Sequence, residues 1–214
     1  MVIVGILAMV ALPNFLTSYH RFNFQNTVKA VTILYEKART QALASKINGS
    51  EKMPPGGYGV WIGVDGADDK MKAVLFVNDW NTVGGAVKMD YTDADIDARV
   101  VPDAAFTKPS GAATADGDTI LQSVIINDKE YIKLASLKGL TPGASDWSAA
   151  AEIMPSSLGV TKGVTAIFVP PFAETKIDNT TFSKLRAVFT LGTSGVTRTL
   201  TLDRVMTTPQ VTNP

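Results

Sequence analysis

The 214-residue chain has no cysteine. Disulfides, thiolate metal sites, iron–sulfur clusters and cysteine nucleophiles are excluded together. A home outside the cytoplasm is not excluded, since a core of this size forms without a disulfide. Histidine is nearly as scarce, with His20 alone. A Ser–His–Asp arrangement or a multi-histidine metal site rests on that one residue or does not exist. An excess of either charge is also missing: Lys and Arg total 20, Asp and Glu total 20, and the formal net charge is zero. Bulk charge therefore gives no case for nucleic acid or an acidic membrane surface as the main partner, although a local basic patch is compatible with it.

What is present starts at the first residue. Met1 to Leu16 is uncharged. As a helix at ~1.5 Å per residue it is about 24 Å long. That is a few residues short of the roughly 20 that cross a bilayer core of about 30 Å. The run has no basic leader and no small-residue cleavage site of a secretory signal. Three readings stay open: a buried core helix, a truncated signal or anchor, or a membrane helix whose first residues are missing.

The next segment bears on the choice. Asn14 to Asn48 has no internal glycine or proline. Phe24, Val28, Val31, Tyr35, Ala38 and Ala42 step by four and three, which is one stripe of a helix. Lys29, Glu36, Lys37, Arg39 and Gln41 lie off that stripe. Asn48-Gly49 supplies a carboxy-terminal stop. The expectation is one helix of about 45–48 residues, about 70 Å long at ~1.5 Å per residue. A helix longer than its own domain is wide cannot be wholly buried there. Val2, Ile3, Val4, Gly5, Ile6, Leu7, Met9, Val10, Leu12, Pro13, Phe15 and Leu16 make up its apolar part, which must bury in membrane or in other subunits. Residues 1–23 are thus read as a membrane or filament-core segment, 24–49 as an amphipathic half packed on a head, and 50–214 as a β-rich head. Pro13 removes one helix hydrogen bond at a cost of ~3 kcal/mol. With Gly5 it marks points where the helix can bend or unwind, and such kinks are common in membrane helices.

The stretch "GILAMVALPNFLTSY" resembles the amino-terminal helix of type IV pilins and type II secretion pseudopilins. There "GILAAIALPAY" follows a processed start of the form F-T-L-I-E-L. Gly5 and Pro13 match that family's glycine and proline in identity and spacing. The resemblance implies a leader removed by a prepilin peptidase, then an N-methylated phenylalanine and a glutamate ahead of Met1. The about nine mature residues it adds lengthen the apolar run to about 25, which spans a bilayer. "EKARTQALASK" followed by "GGYGVWI" is similar to the GspH/FimT-like pilin type, and Ala73 to Asp79, "AVLFVND", matches that type's next strand. Asp90 to Thr161 carries no part of the resemblance.

The resemblance implies an α+β pilin fold, a long amino-terminal helix packed on an antiparallel β-rich head. It implies a homo-oligomeric helical filament at the bacterial surface, held in the cytoplasmic membrane before assembly. An assembly platform and an assembly ATPase are its implied partners. It implies a structural subunit and no enzyme. A type II secretion pseudopilin shares the helix. A minor DNA-uptake pilin would need a basic head surface, for which Lys184, Arg186, Arg198 and Arg204 are the candidates.

After Gly49 the texture changes. Short β-rich runs recur at Tyr58–Val64, Lys72–Val77, Thr119–Ile126, Glu130–Leu134, Val164–Val169, Leu185–Leu191 and Thr197–Leu202, with turn residues between them. Several alternate, as half-buried strands do, and the lack of intervening helices points to antiparallel sheets or a sandwich. Asp146 to Met154 reads as a short helix with Asp146 as its N-cap, and Thr207 onward reads as a tail.

Chemistry-bearing constellations are few. Asp65/Asp68/Asp69, Asp90/Asp93/Asp95/Asp97 and Asp116/Asp118 are the acidic clusters. The second echoes a calcium loop but lacks its central glycine and closing glutamate. Solvated turns are the plainer reading and calcium the other; no further cofactor is implied. His20 reads as a solvated or inter-subunit side chain, since no nucleophile motif accompanies it. Trp61, Trp80 and Trp147 read as core or interface anchors. Asn48 and Asn179 open glycosylation-acceptor patterns.

Overall fold

The computed structural model describes residues 2–44, 57–65, 70–78, 118–127, 131–153, 162–170, 172–177, 182–192, 195–205 and 209–212, with the backbone alone for 2–14, 65, 78, 118, 119 and 162. The fold is α+β, with one amino-terminal helix and two antiparallel sheets. Helix α1 (Val2–Leu43) stays helical through Pro13. Proline has no N–H to give the carbonyl four residues back, so one rung of the ladder is absent there. At the other end Ala44 still donates to the Thr40 carbonyl at 2.9 Å. The Asn48-Gly49 stop lies outside the described residues.

Among the described residues ten strands follow: β1 (Tyr58–Asp65), β2 (Lys70–Asn78), β3 (Asp118–Ile125), β4 (Ile132–Leu140), β5 (Ala151–Glu152), β6 (Lys162–Val169), β7 (Glu174–Ile177), β8 (Lys184–Leu191), β9 (Val196–Asp203) and β10 (Gln210–Thr212). One five-stranded sheet has the order β3-β2-β1-β6-β7 and the other β10-β9-β8-β4-β5.

Three strands go beyond the seven expected runs, and three expectations need correction. The carboxy-terminal stretch is not simply a tail: Gln210–Thr212 pairs with Thr199–Thr201 as β10. The pairing uses backbone groups, so no apolar alternation announces it. The helix expected from Asp146 reduces to a 3-10 turn, Trp147–Ala149. Asp146 does cap it, accepting from the Ser148 N–H at 2.9 Å. The helix goes no further because β5 pairs Ala151 and Glu152 with Gly139 and Lys138. The Glu152 carboxylate accepts from the Leu137 N–H at 3.2 Å, beside the bulge that shifts the β4 register between Leu134 and Ser136. That bulge breaks the period of two. It explains why a strand expected to stop at Leu134 runs on to Leu140.

One apolar core joins the helix to both sheets. Phe24, Val28, Val31, Tyr35, Ala38 and Ala42 are buried in it together with Leu34. Opposite them stand Tyr58, Val60 and Ile62 of β1, Ala73, Leu75 and Val77 of β2, and Leu185, Ala187 and Phe189 of β8. The outer face of β1 is buried as well. Trp61 packs there with Val74 and Phe76. Gly163 lies beneath the Trp61 indole, and a Cβ at that position would overlap both the ring and the Ile62 carbonyl. Sheet two differs: β8 alternates buried Leu185, Ala187, Phe189 and Leu191 with half-buried Lys184, Arg186, Val188 and Thr190.

Tyr35 is fully buried and its hydroxyl has no hydrogen-bond partner among the described residues. Leaving a buried polar group unpaired costs about 1–3 kcal/mol. Burial also holds its phenol well above the ordinary value of 10.0. The unfolded chain ionises there and the folded chain does not, so this contribution to stability is complete below pH 10.0 and lost as pH rises beyond it. Tyr35→Phe is therefore expected to stabilise the fold by about 1 kcal/mol and to weaken its alkaline unfolding. Denaturation at neutral and alkaline pH checks both.

Candidate interaction surface

The helix presents two unlike faces. At 3.6 residues per turn, Phe15, Tyr19 and Phe22 fall within an arc of about 60°, roughly opposite the stripe that carries Phe24, Val31, Ala38 and Ala42. Phe15 is 67% exposed, Tyr19 49% and Phe22 60%, with Leu16 beside them at 51%. Four large apolar side chains over two turns, none covered by the described residues of the head, are a patch that monomeric proteins seldom leave bare. It continues the uncharged run of residues 1–14, whose side chains lie outside the described set. The positions Val2 to Pro13 assigned above to a membrane or filament core are therefore known here as helical backbone only. Among the described residues no helix is long and apolar enough to cross a membrane.

A polar collar marks where the helix meets the head. The His20 ring stacks on Tyr131 at 4.1 Å between centroids and 25° between planes. The Asn23 side-chain amide donates to the Tyr131 hydroxyl at 2.9 Å. Tyr131 is held in turn by the Gly192 N–H, which donates to its carbonyl. Gly192 sits at φ +42°, and a Cβ there would stand 3.4 Å from that of Tyr131. His20, expected in solvent or between subunits, is thus a packing residue of its own head. No pattern in the sequence points to Tyr131, because its nearer partner on the helix, Asn23, is 108 residues away in chain order.

A groove of about 260 Å³ lies between α1 and the β9–β10 edge, lined by Gln25, Val28, Lys29, Thr32, Arg198 and Val211. Of the four basic residues that a DNA-binding face would need, it holds one. Arg198 lines this groove, while Lys184 pairs with Asp203 at 3.0 Å. Arg186 lies under the Trp147 ring at 3.9 Å, and its partial burial lowers its pKa. Arg204 follows in the turn after β9. Along a strand neighbours point to opposite faces, so Arg198 and Asp203 of β9 cannot share one. The four form no single basic patch.

The remaining candidates resolve unevenly. Among the described residues no three His, Asp or Glu side chains gather where they could hold a metal ion. The calcium candidates Asp68, Asp69, Asp90, Asp93, Asp95, Asp97 and Asp116 lie outside the described residues, as do Trp80, Asn48 and Asn179. For Asp65 and Asp118 the strand backbone alone is described. No family model, curated protein or solved structure matches the chain.

Tyr131→Phe keeps the ring under His20 and removes the bond to Asn23. A loss of about 0.5–1.5 kcal/mol is expected, with faster amide exchange around Asn23, measured by hydrogen exchange on the full-length protein. Unchanged exchange there would mean that the collar does not hold the helix.

Proposed function

We propose that this chain is the structural subunit of a type IV pilus-like filament. The observation that supports it is the exposed Phe15–Tyr19–Phe22 face, set opposite the helix stripe that the head buries. In this reading the helix has two apolar halves with two different burial partners. Phe24 to Ala42 belong to the chain's own head, and the apolar run with Phe15, Leu16, Tyr19 and Phe22 belongs to lipid first and to neighbouring helices afterwards. The segment has no polar side chain between Met1 and Asn14. It can exchange lipid tails for other helices at little polar cost. Gly5 and Pro13, the two positions that carry the pilin resemblance, are where the helix gives way when the fibre is stretched.

The head follows the pilin plan in this reading: a helix laid across antiparallel sheets, with the polar outer face of sheet two left for the fibre surface. The chain would sit in the cytoplasmic membrane with its head outside, then move into an extracellular fibre built from copies of itself. A prepilin peptidase, an assembly platform and an assembly ATPase are the partners this implies. No catalytic role is assigned, since the one histidine is occupied with Tyr131. The divided basic residues weigh against a DNA-uptake pilin.

Phe15→Asp and Phe22→Asp test the reading. Each leaves the buried stripe untouched, so the head should unfold at the wild-type temperature. Recovery of sheared filaments should fall by more than about tenfold, the equivalent of ~1.4 kcal/mol or more at the contact, with the subunit retained in the membrane fraction. Filaments at undiminished yield from both variants would overturn the proposal.

A further inference from the structure

The charge of this chain balances only as a whole. From Met1 to Tyr35 there is no acidic residue, and Glu36 is the first. Arg21 and Lys29 are the cations of that stretch, and both are exposed. Neither has a carboxylate three or four residues away, the spacing at which helical ion pairs form. Phe15, Phe22 and Lys29 follow one another at intervals of seven, which keeps them close to one line along the helix. At ~1.5 Å per residue Lys29 stands about 10 Å beyond Phe22, and helical side chains lean back toward the amino terminus. The bare aromatic face therefore ends on a cation.

Lys29 also lines the groove of about 260 Å³ between α1 and the β9–β10 edge, with Arg198 on the facing strand. Arg198 shares one face of β9 with buried Leu200 and Leu202 and is itself half-buried. Among the described residues no carboxylate pairs with either cation. The one acid of α1, Glu36, is seven residues or about 10 Å from Lys29 along the helix. The one acid of β9, Asp203, is five residues or about 16 Å from Arg198 and on the opposite face. β10 has no acid. The rest of the lining is uncharged. Val28 and Val211 are apolar, and the Thr32 hydroxyl donates back to the Val28 carbonyl at 3.0 Å. Two cations without a counter-ion beside an apolar wall are the complement of an anion that carries an apolar body.

We propose that this groove holds the headgroup of an anionic membrane lipid, its phosphate between Lys29 and Arg198 and its glycerol and first methylenes against Val28 and Val211. Two cations with no carboxylate favour an anionic lipid over a zwitterionic one. The apolar wall favours a lipid over free phosphate, which gains nothing from two valines. Position gives the third argument. With Phe15 and Phe22 in hydrocarbon, the groove begins at the headgroup layer, which is about 5–8 Å deep on each side of a bilayer. A lysine stem leaning back from about 10 Å reaches into that layer. The inference rests on the membrane step of the filament reading and adds to it the class of lipid and the residues that hold it.

The test uses the full-length chain dispersed in neutral detergent, with phosphatidylglycerol and phosphatidylcholine of equal chain length as probes. Lipid adducts counted by native mass spectrometry should favour phosphatidylglycerol by about tenfold, the order expected for two cations beside one anionic lipid. Lys29→Gln combined with Arg198→Gln should abolish the preference, and Arg198→Lys should keep it. Lys133→Gln removes an exposed cation of β4 outside the groove and should leave it unchanged. Each variant is confirmed as folded by its thermal transition. Val211→Asp, on the short edge strand β10, keeps both cations, sets an acid beside them and should abolish the preference by itself. Inorganic phosphate in large excess should not compete. Equal binding of the two lipids, a preference that survives the double glutamine variant or Val211→Asp, or displacement by inorganic phosphate would each overturn the proposal. Filament recovery is scored separately: preference without filaments upholds the groove and sinks the filament reading, and filaments without preference do the reverse.

Discussion

Everything in this molecule follows from a helix with more apolar surface than its head can cover. Helix α1 has 42 residues, and the stripe that the head buries runs only from Phe24 to Ala42. That stripe ties the two sheets into one core, since residues of both sheets pack against it. Remove the helix and both sheets lose their inner cover. The sheets in turn fix where the helix leaves the head, through Tyr131 and its contacts with His20 and Asn23. The exposed aromatics begin at that point. Order in one half of the helix thus fixes the direction of the other.

The two sheets divide their labour. Sheet one is buried on both faces around β1, and glycine at 163 makes room for Trp61 on the outer side. Sheet two buries one face and turns lysine, arginine and threonine outward along β8. Two of its lysines are paired, Lys138 with Glu152 at 3.7 Å and Lys184 with Asp203 at 3.0 Å. Such exposed pairs add little stability. They keep the face soluble without giving it a strong field of one sign.

Much of this was legible in the sequence wherever a period runs unbroken. The helix stripe and the alternation of Leu185 to Leu191 both follow directly from spacing. Leu34 lies beside the stripe and escaped the four-and-three stepping, because a helix packed against two sheets buries a wider arc than one packed on a single surface. Strand β4 was cut short by its bulge, and β5 and β10 carry too few residues to show any alternation. Tyr131 could not be found at all, since its role depends on a partner far away in the chain. The basic residues show the reverse failure: Lys184 and Arg186 share one face of β8, while Arg198 stands opposite buried Phe189 on the other. The filament proposal draws on the resemblance carried by Gly5, Pro13 and their apolar neighbours, which no periodicity alone would supply.

The central claim is that the helix is buried by two different partners, its own head and other copies. Hydroxyl-radical footprinting of filaments sheared from the cell surface tests it most directly. Phe24 and Tyr35, buried in the head, and Phe172, 85% exposed, serve as internal references in the same chain. The account predicts that Phe15, Tyr19 and Phe22 are protected to the level of Phe24 and Tyr35. Labelling of all three at the level of Phe172 would contradict it and leave the helix without a second partner.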